Sequence, residues 1–237
     1  MGKVYFIDVT NRDGVQTARI SLSKFQKTMV NWYLSQLGIH QSEFGFPFLG
    51  HERNYVLGNL ALGRKGAFGG MVLEGWCRAV EQDVEGGLTT GVKHLNISIP
   101  TSDQMIVHKF GGRLEREGIV REMVEAARAA RQGGVETLGV NAEDASRTDM
   151  EFLVEFGQAA REAGADRLRY CDTIGYETPD GIRRRVHELA SRLKYPIELH
   201  CHNDLGMAVA NSVAGAAGAV DAGVDAYINT SINGIGE

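Results

Sequence analysis

Eight short runs along the chain are apolar and rich in β-branched or aromatic residues. They are Val4–Val9, Gln41–Phe46, Gly70–Glu74, His94–Ile99, Thr137–Val140, Arg167–Cys171, Ile197–Cys201 and Ala226–Thr230. Runs of this length and composition are expected to form strands buried within a layered fold. The segments between them carry a different period. Phe25, Met29, Val30, Tyr33, Leu34 and Leu37 recur at helical spacing, and the stretches Ile119–Arg131, Met150–Ala163, Gly181–Leu193 and Leu205–Ala222 are amphipathic or Ala-rich. Gly38, Gly133-Gly134, Gly164 and Gly223 stand where several of these helices should stop.

Strict alternation of strand and helix predicts parallel pairing through right-handed crossovers. Two architectures satisfy it: a closed eightfold barrel or an open doubly wound sheet. The strand count of eight, the lack of a GxGxxG turn after the first strand, and polar residues at the C-terminal ends of many different strands favour a (β/α)8 TIM barrel. Residues 1–237 are expected to form one catalytic domain. The eighth strand ends near Thr230 and no eighth helical pattern follows it, so apolar surface should remain uncovered. Either a second polypeptide or a continuation of the chain would have to cover it, with the C-terminal lid or regulatory region also outside these residues.

Composition narrows the function class. With 43% hydrophobic residues and a net charge of −5, the chain has material for one large core and no basic excess suited to nucleic acid or an anionic membrane. The Arg183-Arg184-Arg185 cluster lies inside a helical pattern and reads as a solvated helix face. Cys77, Cys171 and Cys201 are widely spaced, which fits a reducing compartment better than a disulfide framework. With no leader-like N-terminus and no apolar run near the roughly 18 residues needed to span a bilayer, a cytoplasmic protein is expected.

Candidate chemistry gathers at the strand ends. In His200-Cys201-His202 the two histidines are two apart on a strand and should point the same way, toward the barrel axis. By themselves they are equally readable as two hydrogen-bonded histidines or as metal ligands. Asn11-Arg12-Asp13-Gly14 follows the first strand, and closure would bring Asp13 near strands seven and eight. Asp13 is then either half of a surface ion pair or a hard oxygen ligand beside two nitrogens, a set that suits a divalent ion such as Mg, Mn, Zn or Fe. Arg12 would face an anionic group or a developing oxyanion. Asp204 is the expected cap of the helix that follows. Glu43, Asn96, Ser98, Asn141, Glu143, Asp172 and Thr173 complete the polar set, with Asp172 readable as a turn residue and Glu43 as a holder of Arg12.

These motifs resemble those of the Claisen-type acyltransferase and lyase barrels, which include 2-isopropylmalate, homocitrate and citramalate synthases and 3-hydroxy-3-methylglutaryl-CoA lyase. Asp8-Val9-Thr10-Asn11-Arg12-Asp13-Gly14-Val15-Gln16 is similar to their first-strand motif. The stretch from His200-Cys201-His202-Asn203-Asp204 to Asn211 is similar to their seventh-strand motif, and Asn233-Gly234-Ile235-Gly236-Glu237 to the segment after strand eight. The resemblance implies Asp13, His200 and His202 as metal ligands and an Asp-Arg-Glu set completed by Arg12 and Glu43. Catalytic roles fall on Arg12, Glu43, Glu143 and Thr173, and substrate contacts on Arg12, Gln16, Asn96, Asn141 and Thr173. It also implies condensation of acetyl-CoA, as co-substrate, with a 2-oxo acid. Asn96-Ile97-Ser98-Ile99-Pro100-Thr101-Ser102-Asp103 and Trp76-Cys77-Arg78-Ala79 look most like nitrogen-fixation-type homocitrate synthases. That favours 2-oxoglutarate as acceptor, with 2-isopropylmalate synthase as the alternative and the lyase or a non-catalytic subunit behind both. Lys93, His94 or Arg147 would read the distal carboxylate. The chain departs from the usual pattern at Val15, where an acidic residue is common, at Asn11, where an apolar one is, and near Asn96, where many relatives carry His. The resemblance further places an Asn ligand and a general-base His beyond Glu237, on a C-terminal region or partner in a homo- or hetero-oligomer.

Overall fold

The computed structural model describes residues 2–237. Strands β1 (Val4–Asp8), β2 (Gln41–Gly45), β3 (Val72–Arg78), β4 (His94–Pro100), β5 (Thr137–Glu143), β6 (Arg167–Asp172), β7 (Ile197–Cys201) and β8 (Ala226–Thr230) close in that order into a parallel barrel. Closure is through β1 and β8, which pair from Val4–Ala226 to Asp8–Thr230. Helices α1 (Lys24–Gln36), α2 (Arg53–Arg64) and α3 (Glu81–Leu88) follow the first three strands. Two helices, α4 (Asp103–Phe110) and α5 (Arg116–Gln132), follow β4, and α6 (Met150–Glu162), α7 (Pro179–Leu193) and α8 (Ala208–Asp221) follow the next three. The fold is the expected TIM barrel. No helix among the described residues is long and apolar enough to cross a membrane.

Some elements differ from the sequence-based expectation, each for a local reason. β3 starts and ends later than Gly70–Glu74, because the Gly66–Gly70 segment turns and Trp76 and Arg78 remain paired with Asn96 and Ser98. Helices α3 and α4 are only 8 residues each, too short for a repeat to stand out in the chain, and α2 is interrupted by Gly58 and Gly63. α8 starts at Ala208 rather than Leu205. The side chain of Asn203, not that of Asp204, accepts from the Ala208 N–H. In the Arg183–Arg185 cluster only part of the face is solvated: Arg185 donates to the Tyr170 hydroxyl and to the carbonyls of Ala145 and Thr148.

The core lies between the barrel and its helices, where Leu95, Ile97, Leu138, Val140, Leu168 and Leu199 meet Ile119, Met123, Phe156, Ile182 and Val186. One strip lacks this cover. Phe6 on β1 is 47% exposed, Val209 and Val213 on α8 are 79% and 62% exposed, and with Ile228 they line an apolar groove of about 330 Å³. It runs along the outer face of β1 and β8, where the uncovered surface was expected.

The lumen inverts the usual pattern. TIM barrels are generally filled with bulky apolar side chains; here Glu43, Glu74, Arg167, Arg169 and Glu198 cross the middle of the barrel, all buried. Arg169 on β6 donates through Nη2 to Glu43 on β2 at 2.5 Å and through Nε to Glu198 on β7 at 2.6 Å. Arg167 bridges Glu198 and Glu74. Burial works against ionisation of Glu198, but Arg169 and Arg167 bring its carboxyl down to about 2. Glu74 is less well served: burial and the neighbouring carboxylates Glu198 and Glu43 outweigh the guanidinium groups and lift it to about 7. Removing one partner from such a buried cluster strands the others' charge, at a typical cost of about 3–5 kcal/mol.

A second buried polar set explains Asn11. Its amide donates to the Lys27 carbonyl and to Asn31 Oδ1, and Asn31 in turn donates to Tyr55 Oη and Asn59 Oδ1. The residue anchors α1 and α2 to the loop after β1, a task that an apolar side chain cannot perform.

Asp8 carries the clearest pH-dependent penalty. Burial lifts its carboxyl to about 6, against the lowering effect of the Thr10 N–H it accepts. An acid raised on folding destabilises the native state as pH climbs from the unfolded value through the folded one, and the penalty is constant above that. Asp8→Asn keeps an oxygen for Thr10 and removes the charge. Urea unfolding should find it more stable than wild type by about 1–3 kcal/mol at pH 8 and no different near pH 3.5. Equal stability at pH 8 would contradict the burial argument.

Candidate metal centre and active-site cavity

The turn after β1 sets up the site. The N–H groups of Arg12, Asp13 and Gly14 all converge on the carbonyl of Val9, at 3.0, 2.8 and 3.3 Å. This tight turn leaves the Arg12 and Asp13 side chains at the C-terminal mouth of the barrel. His200 is the penultimate residue of β7 and His202 directly follows the strand, and the alternation of strand side chains aims both rings inward. Their Nε2 atoms are 3.1 Å apart, and Asp13 Oδ2 lies 3.4 Å from the first and 3.8 Å from the second.

These three atoms fit a metal ion. A triangle with those sides has a circumradius of about 2.0 Å, so one point can lie within the usual 2.0–2.2 Å of all three donors. Asp13 Oδ2 is buried and makes no hydrogen bond within the protein, as expected of an oxygen reserved for a ligand. Its partner oxygen Oδ1 is taken by Arg12 Nη1 at 2.5 Å. Burial alone would raise the Asp13 carboxyl, but its neighbours, the Arg12 guanidinium foremost, hold it well below the ordinary range. Burial, then the neighbouring His200, pushes His202 down toward the neutral form that a metal requires. A fourth donor is present: the carboxylate of Glu237 lies within the same cluster, all four atoms within 4.8 Å of one another. Gly236, at φ 92°, makes this approach achievable, since a Cβ there would sit 2.8 Å from the Cα of Gly14.

The cavity above the cluster holds about 270 Å³ and is lined by Arg12, Asp13, Gln16, Trp76, Ser98, Lys109, Asn141, Glu143, Cys171, Thr173, His200 and His202. Arg12 is pinned by Glu43 at Nε and Asp13 at Nη1, with Trp76 5.5 Å from its guanidinium carbon. Lys109 on α4 reaches both carboxylate oxygens of Glu143 at 2.7 and 2.9 Å. Beyond Trp76, Ser98, Lys109 and Glu143 opens a second, more apolar cavity of about 310 Å³ bounded by Val80, Pro100, Phe110 and Leu114.

Most of the residues expected at the site therefore share one wall: Arg12, Asp13, Gln16, Asn141, Glu143, Thr173, His200 and His202. Two sit behind it. Glu43 is wholly buried in the lumen and reaches the cavity only through Arg12. Asn96 is also wholly buried, off the cavity wall, and its amide atoms have no protein partner. Asp172 is a turn residue, accepting from the N–H groups of Tyr176 and Glu177. Thr173 Oγ1 accepts from the Asp144 N–H, which fixes it at the rim. The residues expected to read a distal carboxylate are not at the cavity. His94 and Lys93 lie at the N-terminal end of β4, bonded to Thr137 and the Gly134 carbonyl, and Arg147 is clamped onto Asp144. Lys109, Cys171 and Glu237 were not picked out. Lys109 stands on a helix of only 8 residues, Cys171 reads as a core residue, and Glu237 is brought in only by the fold of the post-β8 turn.

Comparison with known proteins fits this geometry. The profile of the HMGL-like family matches residues 3–237. The chain is 56% identical to citrate (Re)-synthase of Dehalococcoides mccartyi over 100% of its own length and 58% of that protein. It is 42% identical to 2-isopropylmalate synthase 2 of Caldanaerobacter subterraneus subsp. tengcongensis over 99% and 58%, and 35% identical to homocitrate synthase AksA of Methanothermobacter thermautotrophicus over 99% and 57%. The chain thus spans somewhat more than half the length of these curated relatives. Among solved structures, hydroxymethylglutaryl-CoA lyase from Pseudomonas aeruginosa superposes with a TM-score of 0.77 at 20% identity, covering 98% of this chain and 77% of that one, a likeness of fold.

Asp13→Ala should remove the oxygen that completes the triangle. Calorimetric titration with Co²⁺ should show affinity weakened by at least about tenfold. Undiminished affinity would mean that the ion, if bound, sits elsewhere.

Proposed function

This chain belongs to the HMGL-like family, and from that premise we propose that it is the barrel portion of an acyltransferase that condenses acetyl-CoA with a 2-oxo acid. The observation that carries the proposal is the convergence of Asp13 Oδ2, His200 Nε2 and His202 Nε2 beside Arg12 in one cavity. Such a donor set suits a divalent ion, and an ion held there would attract the carboxylate and ketone oxygens of a 2-oxo acid.

In this reading a divalent ion held by Asp13, His200 and His202, such as Mg, Mn or Zn, supplies Lewis-acid polarisation of the ketone. The remaining chemistry belongs to protein side chains. Arg12 is held at Nε and Nη1, which leaves Nη2 free among the described residues to donate to the ketone oxygen as negative charge builds there. Gln16, Asn141 and Thr173 line the wall that orients the acid. Glu143 faces the same space with Lys109 beside it, well placed to take part in proton transfer. The balance is simple. A methyl proton leaves acetyl-CoA, the carbanion bonds to the ketone carbon, the former ketone oxygen takes a proton, and water cleaves the thioester to release CoA. The apolar cavity beyond Trp76 and Lys109 fits the thioester arm.

For the acceptor, the 56% identity to a citrate (Re)-synthase, against 35% to a homocitrate synthase, favours oxaloacetate over 2-oxoglutarate and over 2-oxoisovalerate. This moves the reading away from homocitrate but keeps a dicarboxylic acid. The apolar groove along β1, β8 and α8 suits an amphipathic helix, in line with the greater length of the relatives.

In the full-length protein, CoA release from acetyl-CoA should depend on a 2-oxo acid, fastest with oxaloacetate, and yield citrate. Arg12→Lys should lower kcat by about 10²–10³ with little change in the KM for acetyl-CoA. Absence of CoA release with all three acceptors sinks the proposal, and a preference for 2-oxoisovalerate reassigns the acceptor.

A further inference from the structure

The metal cluster is tied to the charged layer beneath it by a single amide. Asn229 on β8 donates through Nδ2 to Glu198 Oε1 at 2.7 Å, and its Oδ1 lies 2.9 Å from His200 Nδ1. The direction of each hydrogen bond follows from the layer below. Glu198 is clamped by Arg167 and Arg169 and is ionised, so its oxygens can only accept. The Asn229 nitrogen must therefore face Glu198 and its oxygen must face His200. That oxygen also only accepts, so His200 must carry its proton on Nδ1. The Nε2 lone pair is then left pointing at Asp13 and His202.

We infer that Asn229 is a positioning residue that locks His200 in the Nδ1–H tautomer, and that it is itself oriented by the buried Arg169–Glu198 pair. The inference rests on the metal site proposed above. Without Asn229 a neutral imidazole would populate either tautomer. Nε2–H, which is common in water, would place a proton where the ion must bind. A second consequence follows from Arg169, which also holds Glu43, the carboxylate that grips Arg12. The chain of contacts runs Arg12, Glu43, Arg169, Glu198, Asn229, His200, Asp13 and back to Arg12. Imidazole orientation and guanidinium orientation thus share one buried support.

The test reads the tautomer directly. In metal-free, ¹⁵N-histidine-labelled protein at pH 8, long-range ¹H–¹⁵N correlations, with His200 assigned by its loss in His200→Gln, should report Nδ1–H for wild type. Asn229→Leu, similar in size and without polar atoms, should shift His200 toward Nε2–H. It should also weaken Co²⁺ binding by about 10- to 100-fold, the range for lost partners of metal-bound histidines. Asn229→Asp keeps an oxygen facing His200 and should restore the Nδ1–H signal. A wild-type His200 protonated on Nε2 overturns the inference without recourse to any variant. So does an Asn229→Leu protein that folds, as judged by its far-UV circular dichroism, and retains the wild-type tautomer. Wild type that shows the Nδ1–H tautomer but binds no Co²⁺ would instead overturn the metal site and leave the hydrogen-bond assignment standing.

Discussion

Arg169 is the interaction on which the rest of the site depends. It comes from β6, is wholly buried, and meets one carboxylate from across the barrel, Glu43 on β2, and one from the neighbouring strand, Glu198 on β7. An always-charged group in that position has to be compensated, and the compensation fixes both carboxylates in space. Each then has an oxygen or a neighbour to offer upward: Glu43 to Arg12, Glu198 to Asn229 and through it to His200. The polar lumen is therefore a floor that orients the cavity above it. Networks of this kind rigidify when every member is satisfied and are vulnerable when one is removed. Glu74, lifted to about 7, is the member held least well.

The apolar part of the fold leaves that floor undisturbed. Outside the barrel the strands pack against helices through aliphatic side chains, and where helices approach one another closely they do so through small residues. Gly218 of α8 is an instance: a Cβ there would lie 2.5 Å from the carbonyl oxygen of Arg183 on α7. Position and chemistry are thus divided between layers. The aliphatic shell sets where the strands run, the charged lumen sets how the mouth residues point, and the turn after β1, with three N–H groups on one carbonyl, places Arg12 and Asp13.

Much of this was legible in the chain, and the reason is periodicity. His200 and His202 are two apart at a strand end, so a period of two puts them on one face wherever the strand lies. Alternating strands and helices admit few topologies, and eight of them close a barrel. Asp13 could be placed with them because closure brings the first and last strands together. Where the reading went astray, periodicity was weak or irrelevant. The helices α3 and α4 are too short to show a repeat, and glycines interrupt that of α2. His94, Lys93 and Arg147 were chosen by residue type as partners for a distal carboxylate. Residue type does not reveal that His94 opens its strand at the wrong end of the barrel, or that Arg147 is already held by Asp144.

By itself, then, the sequence determined the fold class, the end of the barrel where the candidate site residues gather, and the identity of the three metal-ligand candidates. The first two follow from local pattern plus the few rules that govern parallel sheets, and the ligand set from the resemblance to the Claisen-type barrels. Only the tertiary structure decided that Asp13 Oδ2 and the two Nε2 atoms form a triangle of a size to hold an ion, that Glu237 joins them, and that Lys109 faces Glu143 across the cavity. It alone decided that Asn229 stands between Glu198 and His200. Those relations join residues dozens to more than two hundred positions apart. They depend on strand register and side-chain direction, which arise from packing the whole barrel and leave no mark on any short stretch of chain.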